Sequence, residues 1–329
     1  MNDQVLLTTT VGSFGKPDYL QKARNANARG KLGESELTEL ERKATEEWIR
    51  RQERLDLDIL VDGEMYRGDM VAYFAERLDG FRLGGLVRSY GNRYYHKPII
   101  ASKVARPKPM TVDWFRFSQS LTDRPVKGML TGPYTMLDWS YNEAYKTRRD
   151  AALALAEVVR QEAEDLQAAG ARYIQIDEPA IHARPEELEI AIEAMGIVTQ
   201  NLKAKTISHI CYGDFAAIYP GILDLPVDQL DLAMANYEYR WLALMDTQPF
   251  TKEMAVGIVD VHTHELESVE EAADGIRKGL RYVSADRLLP HPDCGLKTRP
   301  VDESIAKCKV VVEAARVVRN ELAKRAVPA

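Results

Sequence analysis

Short apolar runs alternate with longer amphipathic stretches along almost the whole chain. Most of these runs are too short for helices, and several end in polar residues, glycine or proline, which favours buried strands. Eight strands are therefore predicted, over residues 6–12, 58–62, 126–132, 172–177, 205–210, 231–236, 254–260 and 287–291.

Apolar residues at helical spacing lie between the predicted strands. They predict helices over residues 35–56, 143–169, 185–203, 267–281 and 301–325. Ser35 is the expected N-cap of the first helix, and Gly170 is the expected C-terminal stop of the second. Because strands that alternate with helices pair in parallel, eight such units predict an α/β fold of the (β/α)₈, or TIM barrel, type.

One segment, residues 79–125, departs from this alternation. It contains GGLVRSYGNRYYHKPIIASKV, a glycine-punctuated and aromatic-rich stretch that predicts a β-hairpin inserted after the second strand. The length of 329 residues allows one large barrel or two domains. Because the sequence shows no linker or low-complexity tract, residues 1–329 are predicted to form a single catalytic domain.

Composition and charge exclude several classes of protein. With 44 Lys+Arg against 50 Asp+Glu the net charge is −6, and no basic block is present, so a nucleic-acid partner is not expected. No apolar run approaches the roughly 18 residues that cross a membrane, and residues 1–14 lack the pattern of a signal peptide. Three cysteines, an odd number, favour a reducing compartment. A cytoplasmic enzyme without a membrane partner is expected.

Residues with metal-binding side chains follow several predicted strands. In a barrel the loops after the carboxyl ends of the strands build the active site. His209 and Cys211 end the fifth strand, on the same side because they are two residues apart. Glu238 follows the sixth strand and Cys294 the eighth, so the four residues form a plausible zinc-ligand set. The alternative, that both cysteines are small buried hydrophobes, is less favoured, whereas Cys308 in the last helix is expected to pack in the core.

Two further pairs leave alternatives open. His262 and His264 form an HxH pair that would suit a metal-dependent hydrolase activating water. Glu64 and Asp177 follow predicted strands and would hold an ammonium group by charge-assisted hydrogen bonds. An internal salt bridge or helix capping explains these two carboxylates equally well.

Seven motifs together resemble the C-terminal catalytic barrel of the cobalamin-independent methionine synthase family. The resemblance runs from residue 8 to residue 299 and so covers nearly the whole chain. It implies a zinc-dependent methyltransferase that methylates the thiol of L-homocysteine to form L-methionine. The motifs are TTTVGSF (8–14), DILVDGEMYRGDMVAYF (58–74), GGLVRSYGNRYYHKPII (84–100), GPYTMLDWS (132–140), IQIDEPAI (174–181), SHICYGDF (208–215) and HPDCGLKTR (291–299).

The resemblance assigns the metal ligands residue by residue. SHIC places zinc ligands on His209 and Cys211, and PDCG places another on Cys294. The family's glutamate ligand falls after the sixth strand, where only Glu238 is available and the match is loose. The residue before PDCG is His291, where the family usually has asparagine.

The resemblance also assigns residues to the amino-acid substrate. GEMYRGDM and IDEP place the amino-group contacts on Glu64 and Asp177, while the VGSF turn supplies backbone contacts near Val11 and Ser13 to the carboxylate. DVHT aligns His262 with the family's histidine that handles a proton at the methyl donor. This assignment weakens the hydrolase interpretation of the HxH pair.

The methyl donor is the least determined part of the resemblance. Long members of the family carry a second barrel that helps bind polyglutamylated 5-methyltetrahydrofolate, whereas this sequence accounts for one barrel. The expected donor is therefore methylcobalamin or a methylated corrinoid protein. Folate stays open as an alternative because Trp139, Tyr90 and Arg93, the expected donor-binding residues, resemble the folate face of the long enzymes. A non-catalytic corrinoid- or folate-binding module is a further alternative.

Overall fold

The structure is a computed structural model that describes residues 5–89, 93–211 and 213–326. Within these ranges the strands are β1 (Asp79–Ser89), β2 (Arg93–Ala105), β3 (Lys127–Thr131), β4 (Tyr141–Asn142), β5 (Tyr173–Asp177), β6 (Lys205–Ile210), β7 (Gln229–Leu232), β8 (Glu253–Gly257) and β9 (Leu288–His291). The α-helices are α1 (Asp18–Asn27), α2 (Glu34–Leu55), α3 (Ala72–Ala75), α4 (Val112–Ser120), α5 (Pro133–Asp138), α6 (Arg148–Ala168), α7 (Leu188–Thr199), α8 (Val269–Gly279) and α9 (Val301–Ala326).

Six of the predicted strands form one hydrogen-bonded sheet in the order β3–β5–β6–β7–β8–β9. β5 pairs with β6 in parallel, and so does β8 with β9. All residues of β3, β7 and β9 are buried, as expected for strands of a parallel sheet that is covered on both faces. The predicted α/β fold class is confirmed.

The first two predicted strands are irregular, although they hydrogen-bond where strands were expected. The Thr9 N–H donates to the Pro290 carbonyl of β9 (3.4 Å), and the Ile59 N–H donates to the Thr8 carbonyl (3.0 Å). The Thr8 N–H and hydroxyl both donate to the Asp58 carboxylate at 2.8 Å, so side-chain bonds take the place of a regular ladder. The second segment then reaches β3, because the Lys127 N–H donates to the Leu60 carbonyl (2.9 Å).

The helix ends test two sequence predictions. Ser35 is not an N-cap, because α2 begins one residue earlier, at Glu34, and its N-cap is Gly33, which has no side chain to donate or accept a bond. Gly170 does end α6: it adopts φ +100°, and its N–H donates to the Gln167 carbonyl at 2.9 Å. Glycine adopts this backbone conformation without a steric penalty.

The hairpin predicted after the second strand is also present. β1 and β2 pair antiparallel, from Asp79 opposite Ala105 to Ser89 opposite Arg93. β2 pairs on its other edge with the short β4. The outer part of the hairpin exposes apolar side chains, among them Leu86 and Tyr94.

The described chain separates into two compact units. The first contains the residues up to Tyr66, Phe117–Lys127 and the residues from Leu230 onward; the second contains Arg67–Arg116 and Gly128–Gln229. In the first unit Phe14 stacks on the fully buried Trp48, with ring centroids 4.0 Å apart. That the chain is a single catalytic domain stays a prediction. None of the helices in the described ranges has the length and apolarity to span a membrane.

Candidate metal and amino-acid site

His209 and Cys211 lie at the carboxyl end of β6. Both side chains are buried, with 2% and 6% of their surface exposed. The Glu178 N–H donates to the His209 carbonyl (3.1 Å), and the Ser208 hydroxyl donates to the Ile176 carbonyl (2.8 Å). These bonds hold the end of β6 against the end of β5.

Cys294 follows β9 and is half-buried. His209, Cys211 and Cys294 each offer one potential ligand atom, and these three atoms all lie within 4.8 Å of one another. Among the described residues no other group of three histidine, cysteine or acidic side chains meets this criterion. One imidazole and two thiols form the donor set that zinc prefers, so these residues fit such an ion.

Glu238 does not join this group. It follows a short 3-10 turn, Ala235–Tyr237, in the left-handed conformation (φ 53°), and its side chain is exposed. The same turn is held by Asp293, whose role the sequence did not indicate. The Asp293 carboxylate is fully buried and accepts backbone N–H bonds from residues 234–236 at 2.7–2.9 Å. Burial raises the pKa of Asp293 to about 7, although the three donors act in the opposite direction.

The turn that contains Ser13 lies against the loop after the second predicted strand. Ser13 forms a parallel bridge with Gly63, and the Phe14 N–H donates to the Gly63 carbonyl (3.1 Å). The Leu296 N–H donates to the Ser13 carbonyl at 2.7 Å. Val11, two residues earlier, is buried at 5% exposure. The backbone of this turn is therefore firmly held.

Glu64 adopts the left-handed conformation, with φ 56°. Its N–H donates to Asp62 Oδ1 (2.9 Å), and Asp62 Oδ2 accepts a bond from the Tyr66 hydroxyl (2.7 Å). The Glu64 carbonyl accepts a bond from Lys16 Nζ at 3.1 Å. Burial, and then the nearby Arg24 charge, lower the pKa of Lys16 to about 8.

Asp177 is the last residue of β5 and is mostly buried. Its Oδ1 accepts a bond from the Gln175 amide (2.6 Å), and its carbonyl accepts the Gly132 N–H (2.8 Å). The next residue, Glu178, is fully buried and accepts three bonds from the start of α5: the Tyr134 N–H at 3.0 Å, and the Thr135 N–H and hydroxyl at 2.7 Å each. Burial raises the pKa of Glu178 to about 7. Trp139, half-buried, is the C-cap of α5.

The HxH pair is exposed and belongs to a different local network. The His262 N–H donates to Asp260 Oδ1 (2.7 Å), and His264 Nδ1 lies 2.9 Å from both carboxylate oxygens of Glu303. Neither histidine is part of a three-ligand group within the described part of the chain. The hydrolase alternative therefore gains no support from the geometry.

The remaining predicted residues are placed as follows. Tyr90 lies outside the described residues, and Arg93 is the first residue of β2. His291 is fully buried at the end of β9, where its carbonyl accepts the Ile258 N–H at 2.9 Å. Cys308 is fully buried in α9, which confirms its role in core packing, and burial raises the pKa of its thiol to about 12.

An α/β fold with a parallel sheet and a His/Cys/Cys group at strand ends, with two of the three side chains buried, is typical of enzymes that bind a thiophilic metal. Comparison with known proteins identifies the family within this class. Residues 6–317 match the family described as cobalamin-independent synthase, catalytic domain. The chain therefore belongs to the cobalamin-independent methionine synthase family, and the resemblance found in the sequence is confirmed.

Relatives that are named methionine synthase match this chain over almost their full length. The chain is 38% identical to a methionine synthase of Sulfolobus acidocaldarius, covering 99% of this chain and 96% of the relative. It is 39% identical to one of Saccharolobus solfataricus, covering 98% and 97%. Among solved structures, a B12-independent methionine synthase from Shewanella sp. W3-18-1 in complex with selenomethionine matches with a TM-score of 0.85 and 28% identity, covering 97% of this chain and 99% of that one.

Proposed function

We propose that the protein transfers a methyl group to the sulfur of L-homocysteine, forming L-methionine, with zinc held by His209, Cys211 and Cys294. The observation that carries this proposal is the approach of the three ligand atoms to within 4.8 Å of one another. The names of the relatives, all methionine synthases, support the same reaction class.

The three side chains leave one position of a tetrahedral zinc shell for an incoming thiol. A bound zinc ion would lower the pKa of that thiol, which is about 8.5 in free cysteine, and so supply a thiolate nucleophile at neutral pH. Glu238 stays a proposed fourth ligand that yields its place to substrate. It has to approach from its exposed position in the turn after β7 to fill this role.

The amino-acid part of the substrate is proposed to bind to the loops that follow the predicted strands 6–12 and 58–62 and strand β5. Glu64 and Asp177 receive the ammonium group by charge-assisted hydrogen bonds. The backbone near Val11 and Ser13 receives the carboxylate. Fixing both groups orients the sulfur toward the donor methyl, which raises its effective concentration. The selenomethionine bound to the Shewanella relative supports a site for a methionine-like amino acid.

The proposed donor is methylcobalamin or a methylated corrinoid protein, with 5-methyltetrahydrofolate as the alternative. Trp139, Tyr90 and Arg93 are the proposed donor contacts. His262, which is exposed, is proposed to handle a proton when the methyl group leaves its donor. The site is proposed to act in the cytoplasm.

The metal assignment is tested by replacing Cys294 with serine. Zinc per chain, measured by elemental analysis, and methionine formation should both fall to a small fraction of the parent values. Cys308→Ala is the matched control, since this cysteine is buried in α9, and it should retain both. Unchanged zinc in the Cys294→Ser protein would contradict the assignment.

The donor is tested by supplying homocysteine with one donor at a time. Methylcobalamin and 5-methyltetrahydrofolate, in its mono- and polyglutamate forms, are each offered to the zinc-loaded enzyme, and methionine is measured. Methionine formed with methylcobalamin supports a corrinoid donor. Turnover with folate alone would replace that proposal.

A further inference from the structure

Asp293 makes an unusual crossing in the sheet. It follows β9, yet its carboxylate accepts backbone N–H bonds from the turn that follows β7, with β8 lying between these two strands. Oδ1 accepts from Met234 (2.8 Å) and Ala235 (2.9 Å), and Oδ2 accepts from Asn236 (2.7 Å). A single side chain thus ties two strand ends that are not neighbours.

Gly257, the last residue of β8, makes this crossing possible. A Cβ atom built on Gly257 would lie 2.0 Å from Asp293 Oδ1 and 2.9 Å from Asp293 Cα. Real Cβ atoms essentially never approach other atoms so closely, and one of the two contacts is with backbone. The Asp293 side chain therefore passes over β8 at a point where any other residue would obstruct it.

The turn that Asp293 holds is strained. Glu238 and Tyr239 are consecutive non-glycine residues in the left-handed region, with φ 53° and 60°. This conformation is unfavourable for residues that carry a Cβ atom, and it persists only where its surroundings enforce it. The Asp293 carboxylate holds one end of the turn. At the other end the half-buried Tyr239 ring lies against α8, where a Cβ on Gly275 would be 2.1 Å from its hydroxyl.

The backbone of Asp293 is held as well, because its N–H donates to the Val259 carbonyl at 2.9 Å. The backbone N–H and the side-chain carboxylate of Asp293 are therefore both held in place, immediately before Cys294. We propose that Asp293 is a positioning residue for the metal site: its crossing over Gly257 locks the backbone that presents the Cys294 sulfur to the ion. This inference rests on the proposed function, since it takes Cys294 to be a metal ligand.

Two variants test the crossing from its two sides. Asp293→Asn keeps the shape of the side chain but turns one acceptor oxygen into a donor that faces a backbone N–H. Gly257→Ala leaves Asp293 and Cys294 unchanged and obstructs the crossing. Zinc affinity, measured by competition with a chromogenic chelator, should weaken about 10- to 100-fold in each, the range seen when residues behind metal ligands are changed.

The matched control is Glu162→Gln. Glu162 is also a fully buried carboxylate that accepts backbone N–H bonds, from Met110 and Thr111. Glu162 itself lies in α6, and its two bonding partners lie in the insertion. Because Glu162 also pairs with the Arg106 guanidinium (2.7 Å), Glu162→Gln should lose at least as much thermal stability as Asp293→Asn, and it should keep the zinc affinity of the parent. A purely structural role for Asp293 would leave all three folded variants with equal zinc affinity.

The outcomes separate this inference from the proposed function. If the parent binds no zinc, or Cys294→Ser binds it as the parent does, the metal assignment itself fails. If the parent binds zinc through Cys294 but Asp293→Asn and Gly257→Ala bind it equally well, only the positioning role fails. Substitution with cobalt adds a second readout, because the thiolate-to-cobalt absorption band should change in both variants and not in Glu162→Gln.

Discussion

The hydroxyl of Thr135 joins two loops, and replacing this residue with valine should show how much the joint contributes. Thr135 is fully buried at the start of α5. Its hydroxyl donates to Glu178 Oε2 at 2.7 Å and accepts the Ala180 N–H at 3.2 Å. Valine has nearly the same shape, so the substitution removes the two bonds without leaving a large cavity.

The expected loss can be estimated from these two bonds. At pH 8 Glu178, with its pKa raised to about 7, is mostly ionised. A hydrogen bond to a charged acceptor contributes about 1.5–3 kcal/mol, and a buried N–H left without an acceptor costs about 1–3 kcal/mol. Partial offset by the added methyl group gives a net loss of about 3 kcal/mol. With an unfolding entropy of about 2.1 cal/mol/K per residue over 329 residues, Tm should fall by about 4 °C.

The assay is scanning calorimetry of the parent, Thr135→Val and a control, Thr38→Val. Thr38 is half-buried in α2 and its hydroxyl donates to the Glu34 carbonyl (2.9 Å) in an exposed bond, so its replacement should change stability by less than about 0.5 kcal/mol. A Tm for Thr135→Val within about 1 °C of the control would refute the reasoning. The two hydrogen bonds of the Thr135 hydroxyl would then make no measurable contribution to the free energy of unfolding.

Two further predictions concern titratable groups. The pKa of Lys16 is lowered to about 8, so folding disfavours the charged amine, and this penalty is relieved as pH rises from 8 towards 10.5. Relative to Lys16→Met, the free energy of unfolding of the parent, measured by urea titration, should therefore rise by up to about 3 kcal/mol over that pH range. If the two proteins showed the same dependence of this free energy on pH, the prediction would be wrong. The pKa of Cys308 is raised to about 12, so iodoacetamide should leave it unlabelled in the folded protein at pH 8 and label it after unfolding; labelling of the native chain would show that its burial is incomplete.

The sequence predicts the fold well where burial and periodicity agree. β3, β5, β6, β8 and β9 are short apolar runs, and each lies within a residue of its predicted start. β7 starts two residues earlier than predicted because Gln229 and Asp231, both fully buried, interrupt the apolar pattern. The first two strands look regular in sequence, but Thr8 and Asp58 bond to each other through their side chains.

The candidate site shows the same division. His209 and Cys211 are recognisable because they are two apart on one strand, and Cys294 because it follows another strand. Glu178 and Asp293 look in sequence like further acids of the site. Only the structure shows that both are buried on backbone N–H groups, since the segments that supply those groups lie more than 40 residues away in the chain.

Glu178 directly follows Asp177, and Asp293 directly precedes Cys294. In each pair one residue is proposed to meet the ligand, while its neighbour holds the local backbone. Contact with the ligand and support of the backbone are thus proposed for different side chains, which are neighbours in the chain. A mutagenesis library for altered substrate preference can therefore vary Asp177, provided that Glu178, Asp293 and the proposed zinc ligand Cys294 are kept. Randomising whole motifs would instead discard most variants as unfolded protein.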